Sequence, residues 1–316
     1  MPRPRFRTTP EPRPSIYPFR DRARKQQFLA LVRARLGRDG RAVTIRDGVA
    51  SVAGSSGGHG LFTLARTCDR SPPERWPALI DAHFAKSEFA GSPAVVTSLL
   101  EDGFAAAAPQ LAVRIYPNEW LDVALLRHVV HRIDLPGTWT VLVRDIGPSL
   151  VALPTPIAEQ WGIDEATLFA RGIANVAGFC TEPWQRLPVP IGSDESIDVL
   201  GGDTYAAASV LRPESLPRLG AHGNLVVLPT SDLLVSWPID ERRPQAVLET
   251  LVAIGVGGPA PGTPITPHVF WRTPDGRFER QLASFDPATG PRLVPSPEFA
   301  RRFPGWRCGP APATNG

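Results

Sequence analysis

The segment Gly201–Ser209 reads GGDTYAAAS, and two apolar runs follow it, LVVL at Leu225–Leu228 and LLVSW at Leu233–Trp237. Asp203 is of a residue type that caps helix N-termini, so the segment predicts a helix whose small side chains let another backbone approach closely. The two apolar runs flank Pro229–Asp232, a sequence typical of a turn. The pattern therefore predicts an antiparallel hairpin beside a tightly packed helix.

Hairpins and helices succeed one another through much of the chain. Two more hairpins are predicted, one from strands at 139–144 and 150–153, the other from strands at 268–272 and 278–282. A helix is expected to begin at the capping residue Asp164. Because paired strands precede helices, and single strands do not alternate with helices, the expected fold class is α+β with mainly antiparallel sheets and flanking helices.

The first ninety residues predict a helix, a three-stranded meander and a second helix. The helices are expected at 20–36 and 76–89, and Asp47-Gly48 is a strong signal for the turn of a hairpin. A third strand is expected at 61–67, where apolar residues alternate. A strand at 111–116 and a helix at 121–133 come next, the helix predicted from apolar residues at helical spacing.

These elements predict a division of the chain into segments. They are a flexible basic, proline-rich arm at 1–18, a helix–meander–helix domain at 19–110, an α+β domain at 111–305 and a tail at 306–316.

The positive charge of the chain is concentrated at its N-terminus. The formal net charge is +3, but residues 1–25 hold eight basic residues against Glu11 and Asp21. The remaining 26 basic and 29 acidic residues leave the rest of the chain slightly negative. A broad basic face is therefore not expected. One alternative function is association with nucleic acid through the basic arm.

Cysteine number and hydropathy exclude several classes of protein. Cys68, Cys180 and Cys308 are far apart and form no C-x-x-C pair, which argues against a disulfide framework and a cysteine-rich zinc site. No apolar run approaches the roughly 18 residues that a membrane span requires. The N-terminal charges are not followed by the apolar region of a secretory signal, so a cytoplasmic location is predicted.

His128, His131 and Asp134 are the residues most suggestive of an enzyme. Their spacing on the predicted helix would place them on one face, so a hydrolase or metal-dependent enzyme is an alternative function. The general-base Glu of the H-E-x-x-H motif is absent, and the chain contains no G-x-S-x-G nucleophile motif. We therefore expect no catalytic residue, no metal and no cofactor.

The favoured function is binding of a protein or small-molecule partner. The expected surface lies near the Asp203 helix and the hairpin that ends at Trp237, because a small-residue helix leaves room for a groove. The candidate binding residues are Asp203, Tyr205, Ser209, Asp232 and Trp237. Ser209 lies inside the predicted helix and lacks the exposure of an activated nucleophile, so a binding role is preferred to a catalytic one.

The region 135–239 resembles the YtpQ-like family, bacterial cytoplasmic proteins that carry a domain of unknown function. The resemblance rests on packing motifs: Pro136-Gly137, Val151-Ala152-Leu153 leading to Trp161-Gly162, Asp164-Glu165-Ala166, Asp203–Ser209 and Leu233-Leu234-Val235. It covers about a third of the chain and assigns no catalytic residue. It implies an intracellular bacterial protein with an α+β fold.

Overall fold

The structure is a computed structural model that divides into two compact units, Met1–Glu88 and Phe89–Gly316. We call them the first unit and the second unit. The described residues are 18–19, 21–46, 48–54, 58–90, 97–98, 100–119, 121, 126–147, 149–189, 194–240, 245–257, 262–286, 288 and 290–306. Nearly all of the predicted arm at 1–18 and of the predicted tail at 306–316 lies outside these ranges.

The first unit contains helices around a small antiparallel sheet. Its elements are α1 (Arg22–Leu36), β1 (Val43–Arg46), β2 (Val49–Val52), β3 (Gly58–Gly60), α2 (Phe62–Asp69) and α3 (Trp76–Ala90). The centroid of the Phe19 ring lies 5.3 Å from that of Phe28 and 5.6 Å from that of Trp76. These aromatic side chains are all buried and form one end of the core of this unit.

The third strand expected at 61–67 is wrong, because most of this segment belongs to α2. Leu61, Leu64, Ala65 and Cys68 are buried at the i, i+3, i+4, i+7 spacing of one helix face. The strand that completes the sheet is β3, which lies in the preceding glycine-rich loop and pairs with β2. The apolar residues of the segment fit both the two-residue period of a strand and the 3.6-residue period of a helix. Packing in the core of the first unit favours the helix.

The described residues of the second unit form two antiparallel sheets. The four-stranded sheet consists of β4 (Leu111–Pro117), β5 (His131–Arg132), β6 (Thr138–Asp145) and β7 (Leu150–Ala152). Strand β6 is central: β4 pairs along one edge, and β5 and β7 share the other edge.

The larger sheet has the strand order β14-β13-β12-β10-β11-β9-β8. Its strands are β8 (Gln185–Pro188), β9 (Ser196–Gly201), β10 (Asn224–Thr230), β11 (Leu233–Pro238), β12 (Val269–Arg272), β13 (Phe278–Asp286) and β14 (Gly290–Val294). The three hairpins expected in this half of the chain are confirmed as β6–β7, β10–β11 and β12–β13.

Helices flank both sheets of the second unit. Those with fully described bounds are α4 (Phe104–Ala107), α5 (Thr155–Trp161), α6 (Glu165–Phe179), α7 (Gln245–Gly257) and α8 (Pro297–Arg302). Asp164 caps α6 as predicted, since its Oδ1 accepts a 2.9 Å hydrogen bond from the backbone N–H of Thr167. The fold is therefore α+β with antiparallel sheets, as the sequence predicts.

The larger sheet is covered on both faces. On β10, Leu225 and Val227 belong to one apolar core, together with residues of α7 and α8. Val226 and Leu228 belong to a different core, which includes Ala206, Ala207 and Val210. Because alternate residues of a strand point to opposite faces, β10 separates the two cores.

Two helix predictions in the second unit need correction: residues 122–125 of the segment 121–133 lie outside the described residues and Leu126 is helical, but the helix does not continue to 133. The C-terminal part of this segment is a turn at 127–128 followed by the strand β5, whose residues pair with Thr140 and Val141 of β6. The segment after Asp203 is a turn followed by a 3-10 helix at Ala207–Leu211. This 3-10 helix is held by sheet contacts, because the Ala207 N–H donates to the carbonyl of Ser231 and so leaves the α-helical pattern.

The division between the units falls after Glu88, whereas the sequence placed a boundary at 110. Residues 102–111 are attached to the second unit by specific contacts. Asn175 Nδ2 donates hydrogen bonds to the carbonyls of Ala108 and Leu111, at 2.7 and 2.9 Å. Trp161 Nε1 donates to the carbonyl of Asp102 at 2.8 Å. Such long-range contacts have no signature in the local sequence.

Candidate functional site

The predicted binding residues of the 203–211 segment are mostly buried. Asp203 is half-buried, and its Oδ1 accepts a 2.8 Å hydrogen bond from the Tyr205 N–H, which fixes the turn. Tyr205 is 2% exposed, and its ring stacks on Phe179 at 5.3 Å between centroids. Ser209 is 3% exposed, and its carbonyl accepts a 2.7 Å hydrogen bond from Ser215 Oγ. Tyr205 and Ser209 are therefore buried within the second unit and do not form an open surface.

Asp232 and Trp237 lie in different places along the β10–β11 hairpin. Asp232 is half-buried in its turn, where Ser231 Oγ donates to its carboxylate and its carbonyl accepts from the Gly202 N–H at 3.1 Å. Trp237 is 2% exposed and packs with Trp306 in the core on the opposite face of the sheet. The structure thus brings Asp232 close to the 203–211 segment and separates Trp237 from it.

The three residues of the enzyme alternative do not share a helix face. His128 is in a turn, and His131 is on β5, where its ring packs edge-on against Trp139 at 5.1 Å. Asp134 is paired with Arg132. Within the described ranges, no group of three or more His, Cys, Asp or Glu side chains is placed to hold a metal ion. The predicted spacing required a helix that runs through all three residues, and the chain is non-helical from 127 to 134.

A cleft of about 400 Å³ opens within the second unit between its two sheets. One wall is formed by residues of the 132–136 segment and by Ile173 of α6, and the 3-10 helix contributes Val210 and Leu211. The opposite wall is formed by Arg272 of β12 and by the start of β13. The size falls within the range of about 300–1,000 Å³ that is usual for small-molecule sites.

Arg272 is the distinctive residue of this cleft. Its side chain follows Phe270 on the same face of β12, so the strand directs it toward the 203–211 segment. The residue is 6% exposed, and a Cβ added to Gly276 would stand 3.6 Å from Arg272 Nη2. The guanidinium therefore lies beneath the β12–β13 turn, where it borders the cleft.

No residue in the described part of the chain gives the Arg272 guanidinium a hydrogen bond or an ion pair. Burial lowers its pKa, and the negative charge of Glu214 opposes that change. Glu214 is itself paired with Arg212, at 3.0 Å between Oε1 and Nη2. Arg272 remains charged at neutral pH, because the ordinary pKa of arginine is above about 12.

The other two arginines of the cleft are already paired. Arg132 donates from Nε and Nη2 to the two carboxylate oxygens of Asp134, both at 3.0 Å, and lies 4.2 Å over the ring of Phe169. Arg277 donates from Nε to Asp275 Oδ2 at 2.8 Å. Hydrogen bonds from Thr273 and Arg277 lower the pKa of Asp275 to about 2, so this pair is also ionised at neutral pH.

A larger cavity of about 560 Å³ lies on the other face of the same sheet, lined by His222, Trp271, Arg301 and Arg302 among others. Arg302 Nη2 is 3.1 Å from His222 Nδ1, which makes that ring nitrogen the acceptor. Arg301 and Arg302 are exposed. These exposed guanidinium groups are hydrated from bulk solvent, whereas Arg272 presents its guanidinium to an enclosed cleft from a side chain that is otherwise buried. The Arg272 cleft is therefore the better candidate.

Comparisons with protein-family models, with curated proteins and with solved structures find no match to this chain. Among the helices of the described residues, none has the length and apolar character needed to cross a membrane.

Sequence reasoning did not identify Arg272. In the sequence it ends a predicted strand just before Pro274-Asp275-Gly276, a position where arginine is ordinarily exposed beside a turn. The alternation of Phe270 and Arg272 with Val269 and Trp271 is the available signal, since it places an arginine in line with a buried aromatic residue.

Proposed function

We propose that this chain is a ligand-binding protein whose ligand carries an anionic group that pairs with Arg272 in the cleft of the second unit. The observation that carries the proposal is a guanidinium on a residue that is 6% exposed, lining a cleft without a partner among the described residues. No Arg272 nitrogen is among the fully buried, unpartnered atoms of the described residues, so the guanidinium is open to the cleft, where an anion would supply a charge-assisted interaction that the protein does not.

The surroundings of Arg272 support binding rather than chemistry. The cleft contributes Asp134, but this carboxylate accepts both hydrogen bonds of Arg132 and is not poised as a general base. Among the described residues that line the cleft there is no serine, cysteine or histidine that could act as a nucleophile or proton carrier. A non-enzymatic binding protein is thus the function we favour.

The proposed function is still partner or ligand binding, as predicted from the sequence, but the binding site lies elsewhere. The predicted surface at Asp203, Tyr205 and Trp237 is replaced by the cleft beside Val210 and Leu211, which continue the same segment. We also propose that the chain is a bacterial cytoplasmic protein related to the YtpQ-like family. The support for this relationship is the set of packing motifs in residues 135–239.

Nucleic-acid association through residues 1–18 stays a separate prediction. Deleting them should abolish binding to nucleic acid and its salt dependence if the arm is responsible. The metal-dependent alternative is likewise open to test by measuring the metal content of the purified protein, where stoichiometric metal would favour it.

Anion binding at Arg272 is testable by NMR of arginine side chains in the full-length chain. Titration with sodium acetate and with inorganic phosphate, at constant ionic strength, should shift the Nε–Hε signal of Arg272 saturably. The Arg272→Lys variant assigns that signal by its disappearance. Arg186 serves as an internal control, because its side chain is 59% exposed on the edge strand β8. No saturable shift with either anion, or equal shifts at Arg186, would contradict the proposal.

A further inference from the structure

The charges around the cleft leave one positive charge without a counterpart. Arg132 is neutralised by Asp134, and Arg277 by Asp275. Arg280 is exposed and lies against Gly137, outside the cleft lining. The one lining guanidinium that lacks a carboxylate partner among the described residues is Arg272.

This charge balance discriminates between anions. A phosphate monoester carries about −1.5 to −2 charges at pH 7 and gains most from several cations or from a run of free backbone N–H groups. In this cleft the second negative charge would face Asp134 without a new cation to meet it. A carboxylate carries one negative charge, and its two oxygens match the planar fork of a guanidinium.

The rest of the cleft lining is largely apolar. Beside the charged residues it presents Ile133, Pro136, Ile173, Val210, Leu211 and Phe278. These side chains come from both walls, so a ligand held at Arg272 also lies beside apolar surface. A bound molecule therefore needs an apolar body as well as its anionic end.

From these observations we infer that the cleft binds a monocarboxylate with an apolar body, its carboxylate held by the Arg272 guanidinium and its body by the apolar walls. This inference rests on the proposed anion-binding function and specifies the class of ligand. A free organic acid and the C-terminal carboxylate of an apolar peptide share this chemistry.

Three probes of equal chain length test the inference on the full-length protein: hexanoate, hexyl phosphate and 1-hexanol. Dissociation constants come from side-chain and backbone NMR titrations at pH 7.4 in about 0.15 M salt, where long-range attraction is screened. We expect hexanoate to bind at least about 10-fold more tightly than 1-hexanol, as a charge-assisted pair would provide. Hexyl phosphate should bind more weakly than hexanoate.

The possible outcomes distinguish failure of the carboxylate inference from failure of the proposed anion-binding function. Tighter binding of hexyl phosphate than of hexanoate would overturn the carboxylate inference and leave the anion-binding function intact. If 1-hexanol binds as well as hexanoate, the carboxylate inference also fails. Absence of binding by both anions would refute the proposed function itself.

Variants locate the interaction at Arg272. Arg272→Met should remove the preference for hexanoate over 1-hexanol. Arg272→Lys keeps the charge but loses the planar fork, and should weaken hexanoate binding by about 10-fold. The lysine variant keeps the test valid should the methionine variant fail to fold. Arg186→Gln, which removes one exposed positive charge from the same sheet, should leave hexanoate binding unchanged, and an equal loss in this control would overturn the assignment.

The two sources of a carboxylate are distinguished by a further pair of probes. N-acetyl-Ala-Leu with a free C-terminus is compared with its C-terminal amide and with hexanoate. Tighter binding of the free peptide than of hexanoate supports the inference and identifies a chain terminus as the source. Tighter binding of hexanoate also supports it and identifies a free acid. Equal binding of the peptide and its amide, with no preference for hexanoate, would contradict it.

Discussion

The hydroxyl of Tyr205 donates a 2.7 Å hydrogen bond to Asp145 Oδ2, which joins the 203–211 segment to the end of β6. The tyrosine is buried, and burial together with the Asp145 hydrogen bond raises its pKa, so the hydroxyl stays protonated. This bond links the 203–211 segment, which follows strand β9 of the larger sheet, to the four-stranded sheet. The segment and the four-stranded sheet both adjoin the Arg272 cleft.

Tyr205→Phe should destabilise the second unit by about 1–2 kcal/mol, because a hydrogen bond to a charged group is lost while the ring packing remains. Denaturant unfolding measures the change. Tyr116→Phe is the matched control, since the Tyr116 hydroxyl makes no hydrogen bond with any described residue and its removal should cost less than about 0.5 kcal/mol. Equal losses in both variants would contradict the role assigned to the Asp145 contact.

Asp102→Asn should destabilise the second unit by about 1–3 kcal/mol at pH 7, because it removes the carboxylate partner of a buried arginine. Arg144 is 1% exposed, and its Nη2 donates to Asp102 Oδ2 at 2.7 Å. The hydrogen bond from Arg144 also lowers the pKa of Asp102. Gln110 still accepts from Arg144 in the variant, so the loss should be partial.

The same pair has a defined pH dependence. Because the folded-state pKa of Asp102 lies below its ordinary value of 3.8, its stabilisation is complete above that value and is lost as pH falls through the folded pKa. Acid titration of stability should therefore fall less steeply in Asp102→Asn than in the unmodified chain. A parallel acid profile would show that this carboxylate is not coupled to folding.

Gly223→Ala should be among the most damaging substitutions in the chain, at about 3 kcal/mol or more. Gly223 has a φ of 84°, and an added Cβ would overlap the carbonyl oxygen of Arg272. Gly147→Ala is the control: its φ is also 84°, but within the described surroundings its added Cβ meets no atom within 4 Å. The control should lose only the roughly 1–2 kcal/mol of stability that left-handed backbone strain costs. Similar losses of stability in both variants would show that the backbone of Gly223 does not lie close to the carbonyl of Arg272.

The Cys68 thiol should be unreactive in the folded chain. Burial raises its pKa to about 12, so almost no thiolate, the reactive form, exists near neutral pH. In a Cys180→Ser, Cys308→Ser variant, an aromatic disulfide reagent at pH 8 should label Cys68 only at the rate at which the first unit opens. Stopped-flow absorbance provides that rate, and labelling as fast as in denaturant would disprove the burial of this thiol.

Sequence reasoning predicted the larger elements well where local and tertiary preferences agree. The Asp164 cap, the helix α6 and the three hairpins of the second unit all carry turn or cap residues next to apolar runs. It missed the edge strands β8 and β14, which are rich in polar residues or proline and are defined by pairing with a neighbouring strand.

The errors have a common physical cause. In 121–133 the apolar spacing fits a helix, but pairing with β6 draws His131 and Arg132 into a strand. After Asp203 the small residues favour a helix, but hydrogen bonding to Ser231 leaves a 3-10 helix. The Arg272 cleft was beyond prediction for the same reason, because its walls come from segments about 60 to 140 residues apart in the chain.

The separate cores of the two units have a spectroscopic consequence. Of the eight tryptophans in the chain, Trp76 alone belongs to Met1–Glu88. Trp237, Trp271 and Trp306 are clustered with Phe299 and Phe303 in the second unit, so their emission is sensitive to the melting of that core. Intrinsic fluorescence will thus follow the second unit almost exclusively, and opening of the first unit will pass nearly unseen unless the Cys68 thiol is used as its reporter.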